Sequence, residues 1–358
     1  MKILQTEIAK KISQLKGIVP RITTVEALHG ILYSDGYLTA SNLELTVKAK
    51  IEAEGGEAFI IPERAFDLIN NLPDGEVEIT PEPDAITIRI GDISNRFATL
   101  KPEMFAYTKD SYENDSCTVP AEKLIGAMRH VAYAQKSTTE TRMMNGIYLK
   151  CGSGKLELVA LDGYRIAYDT ISCDGDFQMI VPKAAVDRIL GLNLKGDVSI
   201  ATDKKTAMFK TEDFEIYTRL VEGQYYSYTK MFDMQGPQSV VVNRSDLLEA
   251  INRASLCGSV TDREPVILDI CGTDINVNYT NSSANYTEKV TAKASNVDPL
   301  KIAFNAKMVM DSLRSFADLD KEDLQISFEN DKSPAIMEVD GSEMRSLILP
   351  CNQKAETT

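Results

Sequence analysis

The side chains able to do chemistry are scattered along this chain rather than gathered. Its six cysteines are Cys117, Cys151, Cys173, Cys257, Cys271 and Cys351, and its two histidines are His29 and His130. A locally encoded zinc or redox site would show close pairs such as C-x-x-C, and none occurs. The cysteines therefore read as free, buried thiols, and no metal site is expected. Asp84, Asp92, Asp162, Asp169, Asp174 and Asp176 fall in turn-like contexts without a histidine pair or a regular ligand spacing. The GSGK at 152–155 is too short for a phosphate loop, lacks its Ser/Thr, and reads as a hairpin turn. No catalytic residue and no cofactor is predicted.

The elements that would hold these residues repeat. Segments 3–18, 118–134 and 241–256 each read as a strand-like piece, a polar turn and a helix with one apolar face, with Ile8, Leu124 and Leu247 in register. Between them lie 59–73, 179–193 and 302–316, where Pro62, Pro182 and Asn305 stand at the same place before a helix. Proline gives up an amide that has no helical partner, and asparagine can cap it instead. Period-two alternation follows each of these helices, as in Val77, Ile79, Ile86, Ile88 and Ile90. The chain thus reads as α+β, three tandem copies of a unit of roughly 120 residues, each with an internal pseudo-two-fold repeat. The expected boundaries are 1–115, 116–238 and 239–351, with polar junctions at 109–116 and 232–239 and a flexible tail at 352–358.

With 43% apolar and 26% charged residues in 358, the composition fits several modest cores and is neither disordered nor membrane-like. The start, MKILQTEIAKKISQLKG, has no uninterrupted apolar core, so neither a leader nor a membrane span is expected and a cytoplasmic location is.

The net charge of −14 argues, taken whole, against nucleic acid. Its distribution argues otherwise. The helices expected at 7–17, 121–137 and 182–196 each have a basic excess from Lys10, Lys11 and Lys16, from Lys123, Arg129 and Lys136, and from Lys183, Arg188 and Lys195. The other three expected helices are neutral or slightly acidic, and the remainder of the chain is strongly acidic. One face could then meet phosphate without reading sequence. Ordinary helix propensity and solubility offer the plainer account of the same lysines.

The three-fold repeat, MNGIYL at 144–149 with ALDGYRIA at 160–167, RLVEG at 219–223 and the terminal LILPCN at 347–352 together make the chain similar to the bacterial sliding clamp, the beta subunit of the replicative DNA polymerase. The resemblance covers residues 1 to about 352. It implies a head-to-tail homodimer that closes into a ring of six similar units, helices lining the hole and antiparallel sheets outside. It also implies duplex DNA as partner, together with the replicative polymerase, the clamp loader and repair proteins engaged through short linear motifs.

Site residues follow from the same resemblance. Arg21 matches an arginine placed to touch duplex DNA, and Lys10, Lys11, Lys123, Arg129, Lys195 and Arg253 are channel candidates by helix location. Cys117, Val119, Leu256 and Cys257 resemble the apolar part of the dimer contact, ordinary core packing being the alternative for each. Met144, Leu161, Gly163, Tyr164, Arg165 and Ile166, with Ile348, Leu349, Pro350 and Cys351, match a peptide-binding pocket in which Arg165 would offer its fork to carbonyl oxygens. DGYR also reads as a tight hairpin turn and LILP as a last strand.

The chain departs from the family at Tyr164, where histidine is common, and at Leu161, where threonine is frequent. Further departures are Cys351, Asn352 and YYSY at 225–228. These put the peptide preference and the role of the 225–235 loop in doubt. A peptide-binding scaffold that acts without DNA is the alternative from another class, and an enzyme is the more distant one.

Overall fold

Ile8, Ile12 and Leu15 recur at helical spacing, and all three are fully buried along α1 (Gln5–Leu15). The same logic yields α3 (Ala121–Ala132), with Leu124, Met128 and Val131 inward, and α5 (Arg244–Ser255), with Leu247, Ile251 and Ala254 inward. The helices of the second kind are α2 (Phe66–Asn70), α4 (Lys183–Gly191) and α6 (Ala306–Ser315). The computed structural model describes residues 1–53, 55–107, 117–136, 141–235, 237–258 and 264–351. The expected junction at 109–116, Gly236 of the second junction, and Asn352 with the tail at 352–358 lie outside the described residues.

The equivalence of proline and asparagine before the second-kind helices has a physical form. Pro62 and Pro182 stand at the N-cap with extended backbone, φ −70° and −64°. Asn305 stands at the N-cap of α6, and its Oδ1 accepts from the Met308 amide at 3.1 Å. Asn243 does the same for α5 through the Asp246 amide. The second helix is shorter than its periodicity predicts: Glu63–Ala65 is a 3-10 turn, and only Phe66–Asn70 is α-helical.

Each repeat is strand, helix and three strands, twice over, and its halves exchange their first strands. Lys2–Leu4 pairs with Glu76–Glu82, placing Ile3 opposite Val77, while Phe59–Pro62 pairs with Gly30–Ser34, placing Ile60 opposite Leu32. At the other end of the chain Gln238–Asn243 pairs with Asp323–Phe328, and Leu300–Phe304 with Val266–Cys271. This reciprocal exchange ties the two halves of a repeat into one body and realises the pseudo-two-fold pattern. These strand pairs are antiparallel, so one face of each sheet can pack on helices while the other meets water.

The chain divides into two compact units. One comprises Met1–Ile125, Cys151–Gly154 and Cys173–Glu222; the other comprises Gly126–Lys150, Lys155–Ser172 and the chain from Gly223 onward. Hydrogen bonding across the repeat boundaries accounts for this division. In the first unit Phe214–Arg219 pairs with Leu45–Lys50, Ile216 opposite Val47, to join strands of the first two repeats in an 8-stranded sheet. In the second unit Arg165–Ser172 pairs with Arg345–Ile348, joining strands of the second and third repeats.

The core of the second unit includes Leu247, Ile251, Phe304, Leu313, Phe316, Phe328 and Ile348. Full burial of each such side chain contributes about 1.5–3 kcal/mol.

Candidate functional site

The pairing of Arg165–Ser172 with the final strand builds a site. Asp162, Gly163 and Tyr164 turn the chain from Lys155–Leu161 into Arg165–Ser172. Asp162 Oδ1 accepts from the amides of Tyr164 and Arg165 at 3.0 and 3.1 Å, and Gly163 takes φ +94°, a left-handed backbone that favours glycine. On the other side Arg345–Ile348 sets Leu347 opposite Ile166. The Leu349 amide then donates to the Tyr164 carbonyl at 2.8 Å, so the chain end is zipped to the turn.

Between these elements lies a cavity of about 320 Å³ lined by Met144, Leu161, Gly163, Tyr164, Arg165, Ile166, Tyr226, Met231, Pro334, Leu347 and Leu349. Tyr164 is 62% exposed and Leu349 40%, so the apolar wall reaches the surface. Such concavity suits a few apolar anchors of an extended ligand.

Three expected wall residues stand elsewhere. Ile348 is fully buried in the core, because side chains alternate across a strand and Leu347 and Leu349 take the pocket side. Pro350 is half-buried outside the lining, and the Cys351 amide is tied to the Ala303 carbonyl at 2.7 Å.

Arg165 also departs from expectation. Its Nε donates to Asp162 at 2.9 Å, Nη1 to Asp311 at 3.1 Å and Nη2 to the Tyr133 carbonyl at 2.8 Å, with the Tyr133 ring 5.0 Å from the guanidinium carbon. Three of its five donors thus stiffen the wall it helps to line.

The residues that sequence reasoning missed are Tyr226, Met231, Pro334 and Leu347. Two of them come from the segment after Gly223, whose divergent YYSY is an aromatic fastening. Tyr225 stacks on Tyr148 at 4.6 Å between ring centres, and the Tyr228 hydroxyl donates to Glu157. Burial raises the Tyr228 pKa, and hydrogen bonding to Glu157 raises it further. Burial opposes the charge of Glu157, but hydrogen bonds from Tyr228 and Lys155 prevail and hold its carboxyl low. Gly223, at φ +136°, lets the segment leave the strand, since a Cβ there would meet Met143 Sδ at 2.9 Å.

A second polar link joins residues remote in sequence. His130 Nδ1 is 2.6 Å from Asp169, and its Nε2 is 2.8 Å from Asp318. Burial lowers its pKa, but the two carboxylates outweigh burial and the net direction is up. Tyr133 Oη and Ser346 Oγ share a hydrogen bond of 2.7 Å. Together with Arg165 these groups fasten α3, α6 and the last strand around the cavity.

Comparisons with known proteins bear on this arrangement. Family models described as the central and C-terminal domains of the DNA polymerase III beta subunit match residues 118–227 and 230–352. This chain belongs to the DNA polymerase III beta-subunit family. The beta sliding clamp of Staphylococcus epidermidis is 25% identical over 360 residues, covering 94% of each chain. The beta sliding clamp of Pseudomonas putida is 21% identical over 362 residues, covering 97% of this chain and 98% of that one. Among solved structures, the Bacillus subtilis DNA polymerase sliding clamp superposes with a TM-score of 0.92 at 20% identity, covering 99% of each chain. A Pseudomonas aeruginosa sliding clamp bound to griselimycin gives 0.91 at 22% identity, again over 99% of each chain. The fold is the sliding-clamp fold, and the family is a non-catalytic processivity subunit of the polymerase.

As a beta-family chain it carries its expected DNA-facing cations in different circumstances. Lys10, Arg21, Lys123, Arg129 and Lys195 are exposed. Lys11 is half-buried, its Nζ 4.6 Å from the Phe214 ring centre, and burial lowers its pKa. Arg253 is held by Glu288 at 2.6 Å and by Glu249 at 3.2 Å, and these carboxylates raise its pKa.

The four expected dimer residues divide by burial. Leu256 is 74% exposed and Cys257 partly exposed, whereas Cys117 and Val119 are interior. The strand Cys117–Pro120 alternates, with Thr118 and Pro120 outward and the two expected contact residues inward. Cys117 and Val119 are packing residues of this chain. Burial pushes the Cys117 thiol well up, with Cys173 and Cys151 raising it further, and pushes the Cys151 thiol up to about 12, where Cys173 adds to the rise and a hydrogen bond with Cys117 opposes it.

Among the described residues no helix is long and apolar enough to cross a membrane.

Proposed function

We propose that this chain works as a head-to-tail homodimer that closes around duplex DNA, slides without reading sequence, and tethers partner proteins through the cavity between Tyr164, Tyr226, Met231 and Leu349. The three repeats, 1–115, 116–238 and 239–351, are its clamp domains. The processivity role belongs to the family; the ring, the loader and repair partners, and a cytoplasmic setting belong to this reading.

The observation that carries it is the cavity itself, assembled by the zipping of the final strand onto the Asp162–Tyr164 turn. Its apolar anchors and its internally satisfied arginine suit short motifs with aliphatic or aromatic side chains. The griselimycin-bound relative supports the view that members of this fold take ligands.

Two edges support closure. In the first unit the sheet of Lys2–Leu4 ends in Ile93–Ala98, and in the second that of Leu300–Phe304 ends in Asn285–Thr291; neither end strand has a further partner among the described residues. An unpaired edge is a template for another chain, and two different edges on one chain suit a heterologous contact that closes. Exposed Leu256 adds apolar surface. The exposed cations supply weak phosphate contacts, which permit movement once enclosure prevents escape.

Primer extension by the replicative polymerase with its loader tests the tethering. Product length should rise when this protein is added, and Tyr226→Glu should remove the gain while leaving the dimer intact. Equal gains with and without that substitution would refute the role of the cavity.

A further inference from the structure

Cys117, Cys151 and Cys173 are distant in sequence, yet their three sulfur atoms all lie within 4.8 Å of one another. All three are buried, and all belong to the first compact unit. The topology gathers them. Cys117 opens the strand Cys117–Pro120 and pairs opposite Ile200. The Cys173 amide donates to the Gly154 carbonyl at 3.0 Å, which folds the chain back over the turn that follows Cys151.

The thiols have only weak internal partners. Cys151 Sγ points to the Cys173 carbonyl at 3.8 Å, and Cys173 Sγ to the carbonyls of Thr118 at 3.9 Å and Asp174 at 3.6 Å. All six cysteines are free, so no disulfide consumes the cluster.

Three sulfurs bound to one pyramidal centre by bonds of about 2.3 Å stand roughly 3.5 Å apart, inside the 4.8 Å limit within which these three lie. Charge then selects the centre. Three thiolates on a divalent ion leave one uncompensated negative charge in the interior, and on a monovalent ion two. Among the described residues a charged side chain that acts on Cys151 is Asp174, a carboxylate, which worsens either case. A structural zinc ion further asks for four ligands, and no histidine or carboxylate joins the sulfurs among the described residues. A trivalent centre bound by three thiolates is neutral and needs no fourth ligand.

We infer that Cys117, Cys151 and Cys173 form a binding site for a trivalent thiophilic centre of the arsenous-acid type. Three S–H bonds and three As–O bonds break, three As–S bonds form, and each proton leaves with a hydroxide as water. Arsenic remains trivalent throughout, so no oxidant or reductant is needed. Occupation would staple the start of the strand at Cys117 to the segments carrying Cys151 and Cys173.

The test uses the full chain with Cys257→Ser, Cys271→Ser and Cys351→Ser, so that only the buried trio remains, and arsenite as the probe. Native mass spectrometry should show one arsenic per chain with three waters lost. The arsenic absorption edge should report three sulfur neighbours and no oxygen, and the melting midpoint should rise because the folded chain binds. Competition with Cd²⁺ or Zn²⁺ should not displace the arsenic at equal concentration. Further replacement of any one of the trio by serine should weaken binding at least about tenfold. Absence of the adduct, oxygen in the first coordination sphere, displacement by the divalent ions, or a lowered melting midpoint would overturn the inference. The absorption and melting readouts need no substitution within the trio, so misfolding of a serine variant cannot mask the answer.

Discussion

Arg165 Nη1 lies 3.1 Å from Asp311 Oδ2, which joins the turn that forms the cavity to α6. Because Arg165 is only 9% exposed, its charge depends on this contact, on Asp162 and on the Tyr133 carbonyl. Removing one partner leaves a buried charge short of compensation. Asp311→Ala should therefore lower stability by about 2 kcal/mol, the scale of a hydrogen bond to a charged group. Chemical denaturation checks this, and a parallel loss of peptide affinity is expected because the wall is no longer held.

Ile348 and Leu349 are neighbours with opposite duties. Ile348→Ala opens a void in the core and should cost about 2–5 kcal/mol of stability with little change in peptide preference. Leu349→Ala, at a 40% exposed position, should leave stability nearly unchanged and weaken peptide binding. Denaturation and fluorescence titration of the two variants separate these outcomes.

The turn residues Asp162 to Arg165 were legible in the sequence because a local Asp-Gly signal and a family motif coincide there. The helices were legible because Ile8, Ile12 and Leu15 carry their period openly. Leu347 and Pro334 were not, because their place on the cavity depends on the register of Arg345–Ile348 against its neighbours, a long-range pairing that local pattern does not encode. Tyr226 and Met231 were not legible because the segment that carries them is fastened by the stacking of its neighbour Tyr225 on Tyr148, a contact between residues remote in sequence. The cysteine cluster escaped notice for the same reason. For Cys117 and Val119, expected by resemblance at the dimer contact with core packing as the alternative, the alternation of their strand turns both side chains inward.

His130 between Asp169 and Asp318 gives stability a pH dependence. Its folded pKa lies above the ordinary histidine value of about 6.5, so its ion pairs contribute fully below that value and are lost as pH rises through the folded pKa. Compared with His130→Gln, the native chain should have its largest stability advantage near pH 6, and the advantage should shrink on the alkaline side. Denaturation curves of both proteins across pH 6–9 measure it, and an advantage that grows with pH would contradict the assignment.

The cations differ in their freedom to meet phosphate. Reversing Lys10, Arg21, Lys123, Arg129 and Lys195 together should shorten residence on DNA and flatten its salt dependence without unfolding the protein. Arg253→Ala should leave residence nearly unchanged, because Glu288 and Glu249 already hold that side chain. Off-rates measured over a salt series decide between them.

Residence on a nicked DNA circle, before and after a single cut makes it linear, tests enclosure most directly. Loaded protein should persist on the circle and be lost within minutes of linearisation, at a salt concentration where direct binding is negligible. Equal persistence on both forms would mean that affinity, and not a closed ring, retains the protein.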